Sequence, residues 1–215
     1  LDFSTERGRK YALYRRSSLT TGNWEVVQAD IDGTGTTLLL LDSGALLNPS
    51  CFYKVETLDA TSGLMTRDVW KSLSGPAVSD LTGHANYPGT PSFSTTLETL
   101  EAPSDWDDNF GERIYGYLIP PVSGSYTFWI ASDGASELWL STDPTEAKKQ
   151  KIAYVNTRTG ARQWDIFGSQ KSAPIPLVGG QRYYIEVLHK AGAGEDHMAV
   201  AWETAGILRR VIDKS

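Results

Sequence analysis

The sequence predicts an all-β protein, in which an antiparallel β-sandwich follows a small β-rich module. Apolar and polar residues alternate along many short segments, which is the period of a half-buried strand. Glycine (20 residues) and proline (10) interrupt these segments, and strand-favouring aromatic residues are abundant, with 7 tryptophans and 10 tyrosines among 215 residues. Many short strands separated by turns are typical of a sandwich.

The composition also excludes several functional classes. The net charge is −6, which argues against a nucleic-acid partner, because a basic surface supplies most of the affinity for such partners. No apolar run approaches the roughly 18 residues of a membrane span, so membrane insertion is not expected. The sequence has no G-x-S-x-G elbow, phosphate-binding loop or H-E-x-x-H motif, so we expect no catalysis in this chain. An accessory role within a larger, glycan-degrading enzyme is compatible with that expectation.

Residues 1–62 form the predicted small β-rich module. Four of its segments alternate as strands do, and turn sequences such as DGTGTT separate them. These segments are RKYALYRRS, WEVVQADI, TLLLLD and CFYKVETLD. Residues 63–66 are the predicted linker, because they end the turn-rich stretch DATSGLMT. The chain starts at Leu1 without an initiator methionine or a signal peptide, which predicts a fragment of a longer protein.

This first module resembles a β-rich module that recurs in very large bacterial secreted proteins. The resemblance depends on Phe3, Gly8, Tyr11, Leu13, Ser17 or Ser18, Leu19, Trp24, Gly33, Gly35, Asp42 and the run Phe52-Tyr53-Lys54-Val55. It implies an extracellular spacer that belongs to a larger parent chain with other domains.

Residues 67–205 form the predicted sandwich. The segment ERIYGYLIP is a strand, and residues 124–141 and 179–203 are two predicted β-hairpins, because alternating segments flank a polar turn in each. The first turn contains Asp133-Gly134, and the second loop is 192–196. A short helical turn is predicted after Asp143. Residues 206–215 are predicted to be a tail or the first strand of a following module.

The sandwich segment, residues 67–205, resembles the PA14 domain, a β-sandwich module of bacterial toxins, adhesins, yeast flocculins and glycoside hydrolases. Its motifs occur in the order that the family shows. They are Gly116-Tyr117-Leu118, Gly124-x-Tyr126-x-Phe128, Ser132-Asp133, Leu138-Trp139-Leu140, Leu177, Gly179-Gly180, Tyr183-Tyr184-Ile185 and Ala199-x-Ala201-Trp202.

The resemblance implies a sugar site at the first turn. In sugar-binding members, the turn that matches 132–134 holds two consecutive aspartates joined by a cis peptide. They bind a calcium ion, which in turn binds vicinal sugar hydroxyls. A later loop, matching 190–196, supplies further ligands. The carbohydrate-binding residues implied here are Asp133, Gly134, Gly192, Gly194, Glu195 and Asp196, with Asp133 and Asp196 as calcium ligands.

The sequence departs from the family pattern at this turn. Gly134 stands where the second aspartate belongs, and the loss of a carboxylate lowers the expected calcium affinity. Glu195 and Asp196 would compensate if the two loops meet. The alternative is that Asp133 and Gly134 only make the turn, while Glu195 and Asp196 are solvated loop carboxylates.

Trp106 is a further candidate for carbohydrate binding. It lies in SDWDDNF, where the indole ring could stack on a sugar and the neighbouring carboxylates could bind hydroxyls. The alternative is a tryptophan that packs beneath its loop. His189 and His197 flank the loop 192–196 and are expected to be polar residues at its edge, because a zinc site would need a third ligand such as Asp196.

Together these patterns predict a non-catalytic, lectin-like module that binds a glycan or polysaccharide, with calcium as a candidate cofactor. The expected location is extracellular or at a cell surface. The alternative function is a structural spacer or protein-interaction module without a ligand of its own, whose partners are other domains of the parent chain.

Overall fold

A computed structural model describes residues 1–5, 10–21, 24–44, 50–58 and 65–213. Nearly all of its regular structure is antiparallel β-sheet, which confirms the predicted fold class. The described residues before position 59 contain the strands β1 (Asp2–Ser4), β2 (Lys10–Arg16), β3 (Glu25–Asp32), β4 (Thr37–Leu39) and β5 (Phe52–Leu58).

The remaining described residues form the sandwich. Its strands are β6 (Met65–Trp70), β7 (Phe93–Leu97), β8 (Gly111–Leu118), β9 (Gly124–Ser132), β10 (Ala135–Leu140), β11 (Gln150–Val155), β12 (Ile175–Leu177), β13 (Tyr183–Lys190), β14 (Met198–Thr204) and β15 (Ile207–Val211). The helical elements are α1 (Val78–Thr82) and the 3-10 turns Glu146–Lys148 and Gly168–Gln170. None of the helices in the described part of the chain has the length and apolar character needed to cross a bilayer.

The first part of the chain is built around β2. This strand pairs with β3 on one side and β5 on the other, while β1 pairs with β4. Tyr11 and Leu13, two positions apart on β2, pack with Ile31 in a small core, as the period of two requires. All four predicted strands of this module are present, and β1 is an addition.

The sandwich core lies between two antiparallel sheets. One sheet has six strands in the order β11-β10-β13-β8-β6-β7, and the other has four in the order β12-β9-β14-β15. Tyr126, Phe128 and Ile130 of β9 are each 0% exposed and pack against Leu138 and Val187 of the opposite sheet. Burial of a large apolar side chain stabilises a fold by about 1.5–3 kcal/mol, so this predicted apolar face is central to the domain.

Both predicted hairpins are wrong in their strand pairing, although their strands are present. β9 pairs with β12 and β14, whereas β10 pairs with β11 and β13, so the turn at Asp133-Gly134 crosses between the sheets. The segment 191–197 crosses likewise, from β13 to β14. Alternation buries one face of a strand whether its successor lies beside it or across the core. The sequence pattern therefore does not distinguish the two arrangements.

The sandwich extends beyond both predicted boundaries. β6 begins at Met65, inside the predicted linker 63–66, whose first two residues lie outside the described part of the chain. The segment predicted to be a tail or the start of another module contains β15, which pairs with β14. Ile212 follows it and is 2% exposed in the main core, which explains why this segment belongs to the sandwich. The helical turn predicted after Asp143 is the 3-10 turn Glu146–Lys148.

Candidate functional site

Strand register brings four loops to one end of the sandwich. Lys190 at the end of β13 lies opposite Gly111, where β8 starts, and opposite Ala135, where β10 starts. In the other sheet, Met198 at the start of β14 lies opposite Ser132 at the end of β9. The loops that meet there are residues 105–110, 133–134, 156–160 and 191–197. We call this region the loop end.

The backbone of Asp133 is held on both sides. Its N–H donates to the carbonyl oxygen of His197 (2.9 Å), and its own carbonyl oxygen accepts a hydrogen bond from Nε2 of His189 (2.6 Å). Asp133 also forms an isolated antiparallel bridge with Arg158. The two loops singled out from the sequence therefore meet, and a third segment, 156–160, joins them.

Arg158 lies between two carboxylates at the surface of the loop end. Its Nε is 3.4 Å from Oδ1 of Asp133, and its Nη2 is 2.8 Å from Oε2 of Glu195. The side chains of Arg158 and Glu195 are 61% and 74% exposed, and that of Asp133 is 19% exposed. We call these three residues the surface triad. Its charges alternate as negative, positive and negative, so the triad as a whole is anionic.

The course of the backbone requires glycine at position 134. Gly134 has a φ of 92°, a region that residues with a Cβ rarely adopt, and its peptide bond to Asp133 is trans. A Cβ at this position would overlap the carbonyl oxygen of Lys190. A second aspartate therefore does not fit here unless the backbone at 190–191 moves.

Asp196 joins two of the loops rather than facing solvent. Only 3% of it is exposed, and its Oδ2 accepts hydrogen bonds from the backbone N–H groups of Trp106 (2.9 Å) and Asp107 (3.3 Å). Burial raises the pKa of Asp196, and the two N–H groups oppose that rise without cancelling it. Its carbonyl oxygen accepts a further bond from the N–H of Asp105 (3.0 Å). Asp196 thus fixes the loop 105–110 against the loop 191–197.

The partly buried indole ring of Trp106 contacts four other side chains. Phe93 stacks on it with a centroid distance of 5.9 Å, and Phe110 meets it edge-on at 5.3 Å. The Arg67 guanidinium and the Lys71 ammonium lie 4.5 Å and 4.7 Å from the ring centroid. This arrangement corresponds to the packing alternative for Trp106.

Gly192 and Gly194 leave part of the loop end open. A Cβ at either position would have no neighbour within 4 Å. The carbonyl oxygen of Gly192 accepts a hydrogen bond from the N–H of Asn109 (2.6 Å), and the N–H of Gly194 donates to Oδ1 of Asp108 (2.8 Å). These two glycines anchor the loop through their backbone and present open surface beside Glu195.

A buried charged cluster lies beneath Asp133. It consists of Arg67, Glu112 and His189, whose side chains are at most 1% exposed, and we call it the buried triad. Glu112 accepts hydrogen bonds from Nε of Arg67 (2.5 Å) and from Nδ1 of His189 (2.8 Å). Nε2 of His189 lies 2.6 Å from the Asp133 carbonyl oxygen, so each of the two imidazole nitrogens faces an oxygen acceptor.

The electrostatics of the buried triad favour an ionised Glu112. Burial alone would raise its pKa, but the hydrogen bond and charge of His189, together with those of Arg67, lower the pKa of Glu112 below its usual value. The expectation of a loop-edge His189 is therefore wrong, because it lies in the interior with a charged partner. His197 is likewise buried, and its Nε2 donates to the carbonyl of Thr159 (3.1 Å).

These donors do not fit a calcium ion in the arrangement observed. Calcium requires six to eight oxygen ligands, but the Asp133 carboxylate contacts Arg158 and the Asp196 carboxylate accepts two backbone N–H groups. In the part of the chain that the structure describes, no group of three or more His, Cys, Asp or Glu side chains is placed to hold a metal. Calcium binding through Asp133 and Asp196 stays a prediction, which a calcium titration tests.

Sequence reasoning missed Arg158 and two members of the buried triad. Arg158 follows β11 in a short polar stretch with no distinguishing pattern. Arg67 and Glu112, by contrast, occupy strand positions with the same parity as core residues, as His189 does on β13. Charged residues at inward positions of three neighbouring strands are a signal that could have located this cluster.

Comparison with known proteins adds a family to this geometry. The profile of the PA14 domain matches residues 61–215. An N-acetyl-beta-glucosaminyl-glycoprotein 4-beta-N-acetylgalactosaminyltransferase 1 from Mus musculus is 35% identical over 161 residues, which cover 71% of this chain and 15% of that protein. Fibrocystin from Canis lupus familiaris is 32% identical over 89 residues, which cover 37% of this chain and 2% of that protein. The chain therefore spans only a small part of these relatives.

Two solved structures share the fold of the larger part of this chain. The PA14 sugar-binding domain from an RTX adhesin superposes with a TM-score of 0.53 at 10% identity, covering 71% of this chain and 96% of that one. The PA14 domain of the MpAFP antifreeze protein gives a TM-score of 0.53 at 12% identity, covering 70% and 89%. At such low identity the likeness concerns the fold alone.

Proposed function

Because the chain belongs to the PA14 domain family, we propose that it is a non-catalytic carbohydrate-binding module whose ligand lies against the loop end. The observation that supports this most directly is the surface triad. It presents a carboxylate, a guanidinium and a second carboxylate in a row, beside the open surface at Gly192 and Gly194.

This row of charges suits the chemistry of sugar hydroxyls. Each hydroxyl both donates and accepts a hydrogen bond, so neighbouring hydroxyls can donate to the carboxylates of Asp133 and Glu195 and accept from Arg158. Hydrogen bonds to charged groups are roughly twice as strong as those between neutral groups. The main-chain bonds of Asp133 fix this end of the row before any ligand arrives, which reduces the entropy lost on binding.

The relatives favour a glycan-facing role within a larger protein. The RTX adhesin domain that shares the fold is a sugar-binding domain, and the Mus musculus relative is a glycosyltransferase that modifies glycoproteins, of which this chain matches 15%. We therefore propose that the module lies outside the cell or at its surface, as an accessory part of a longer chain that carries any catalytic activity elsewhere.

A glycan array tests the proposed function. We expect the wild-type protein to bind a subset of printed glycans and Asp133→Ala to lose that signal. Asp165→Ala is the matched control, because Asp165 is also an aspartate paired with an arginine, Arg209, at 2.9 Å. An array without signal for the wild-type protein contradicts the proposal, and full binding by Asp133→Ala moves the site away from the loop end. Calcium-assisted binding, implied by the resemblance, is measured by repeating the array with a chelator.

A spacer role is the second candidate, and the contact between the two parts of the chain favours it. The hydroxyl of Tyr14 donates to the carbonyl oxygen of Gly180 (3.5 Å), and a Cβ at Gly180 would lie 2.8 Å from Cγ2 of Val26. Among the described residues, however, no hydrophobic cluster contains side chains from both the first module and the sandwich. A spacer would give no signal on the array.

A further inference from the structure

We propose that Arg158 is the cation of this site, so that the loop end binds neutral glycans without a metal ion. The inference rests on the proposed function. It adds to that function a specificity-determining residue, a class of sugar and independence from calcium.

Arg158 is positioned to act as a fixed cation. Its backbone is bridged to Asp133, so the side chain starts from a defined place next to the turn. The guanidinium then reaches the carboxylates of both crossing loops, at 3.4 Å from Asp133 and 2.8 Å from Glu195. A positive charge thus already lies between the two carboxylates that a bound ion would have to share.

The same loops leave a divalent ion without enough oxygen ligands. Position 134 cannot hold a second carboxylate without a shift of the backbone at 190–191, because its Cβ would overlap the Lys190 carbonyl oxygen. Asp196 is 3% exposed, and its carboxylate already accepts hydrogen bonds from two backbone N–H groups of the neighbouring loop. Both features would have to change before these loops could supply the six to eight oxygen ligands that calcium requires.

A guanidinium can bind sugar oxygens in place of a calcium ion. It is planar, always charged and carries five N–H donors, so it can contact both carboxylates and still donate to sugar oxygens. The triad has a net charge of −1, being one arginine with two carboxylates. This negative charge would repel anionic glycans, such as sialylated, uronic or sulfated ones, but not neutral hexoses.

The first test compares metal conditions with wild-type protein alone. Calcium chloride is titrated into the protein by calorimetry, and a printed array of neutral and sialylated glycans is read once with calcium and once with EDTA. We expect no saturable calcium binding, the same neutral glycans in both buffers and weaker signals for their sialylated counterparts. Glycan binding that requires calcium overturns the inference and leaves the proposed function standing. An array without signal in either buffer overturns both.

The second test concerns Arg158 itself. In EDTA, Arg158→Ala should lose about tenfold or more of its affinity for the neutral glycans, since it removes the charge-assisted donors. Arg158→Lys keeps the charge but lacks the planar fork that contacts two carboxylates, so it should lose affinity as well. Arg162→Ala is the matched control, because Arg162 is 59% exposed and pairs with Glu101 at 2.7 Å. Wild-type affinity in the folded Arg158→Ala protein contradicts the assignment.

Discussion

Two charged triads lie on opposite sides of the Asp133 peptide and differ in their access to water. The buried triad reaches the peptide from the interior, through His189 and the Asp133 carbonyl. The surface triad extends outward from the Asp133 carboxylate through Arg158 to Glu195. One residue therefore links a cluster that is at most 1% exposed to one whose outer members are more than half exposed.

The comparison separates stability from binding. A buried charge that loses its partner is left uncompensated in a medium of low dielectric constant, whereas an exposed ion pair gains little over its hydration by water. The buried triad should therefore determine whether the loop end keeps its shape. The surface triad should determine what the loop end binds, since its groups can exchange water for a ligand at small cost.

The largest effect is expected from Glu112→Ala. This change leaves the charge of Arg67 and the imidazole of His189 buried without their shared carboxylate. Removal of one partner of a buried ion pair typically costs about 3–5 kcal/mol of folding stability. Guanidinium chloride unfolding, followed by tryptophan fluorescence, measures the loss. The control is Glu195→Ala, which removes a carboxylate of the surface triad that is 74% exposed and should leave the unfolding midpoint unchanged. Equal effects of the two variants would contradict the division between the triads.

The sequence was sufficient for the strands but not for how two of them pair. Tyr126, Phe128 and Ile130 alternate in the sequence, and each is fully buried. The turn at Asp133-Gly134 has the composition of a hairpin turn, yet it crosses the sandwich. Whether the turn joins two strands of one sheet or crosses to the other sheet depends on which other strands pair with β9 and β10. Those partners lie elsewhere in the chain, so the sequence of the two strands does not reveal them.

The candidate site was predictable only in part, for a similar reason. The residues of both crossing loops were identified, and the structure brings Asp133 and Glu195 to the same arginine. Arg158 itself comes from a third segment, whose placement depends on the pairing of β10 with β11. The role of Asp196 was also not readable from the sequence, because a loop carboxylate becomes buried only through loops remote in the chain.

An intermediate effect is expected from Gly134→Asp, which restores the missing second aspartate. The substitution places a side chain at a φ of 92° and against the Lys190 carbonyl oxygen. Strain of this kind costs about 1–3 kcal/mol, and no calcium affinity should appear in a calorimetric titration. Gly192→Asp is the matched control, since a Cβ there meets nothing within 4 Å. A variant at 134 that is as stable as this control, or that binds calcium, would show that the turn adapts more easily than its geometry indicates.

The smallest effect is a pH dependence with opposite signs at two buried carboxyls. The pKa of Glu112 is lowered in the fold, so its stabilisation is complete above the ordinary glutamate pKa and is lost as the pH falls through the folded value. The pKa of Asp196 is raised by burial, so the folded state binds that proton more tightly, and stability falls as the pH rises from the ordinary aspartate pKa to the folded one.

Denaturant titrations between about pH 2 and pH 6 resolve the two contributions, since one proton changes the slope of stability by at most about 1.4 kcal/mol per pH unit. Glu112→Gln should remove part of the loss of stability at acid pH. Asp196→Asn should remove the loss of stability that occurs as the pH rises between the ordinary and the folded pKa of this aspartate. The stability of this variant should therefore increase more steeply with pH than that of the wild-type protein. A shift of the stability profile in the same direction by Glu112→Gln and Asp196→Asn would contradict the opposite pKa shifts of these two carboxyl groups. The buried triad would then stabilise the Asp133 peptide by packing rather than by charge.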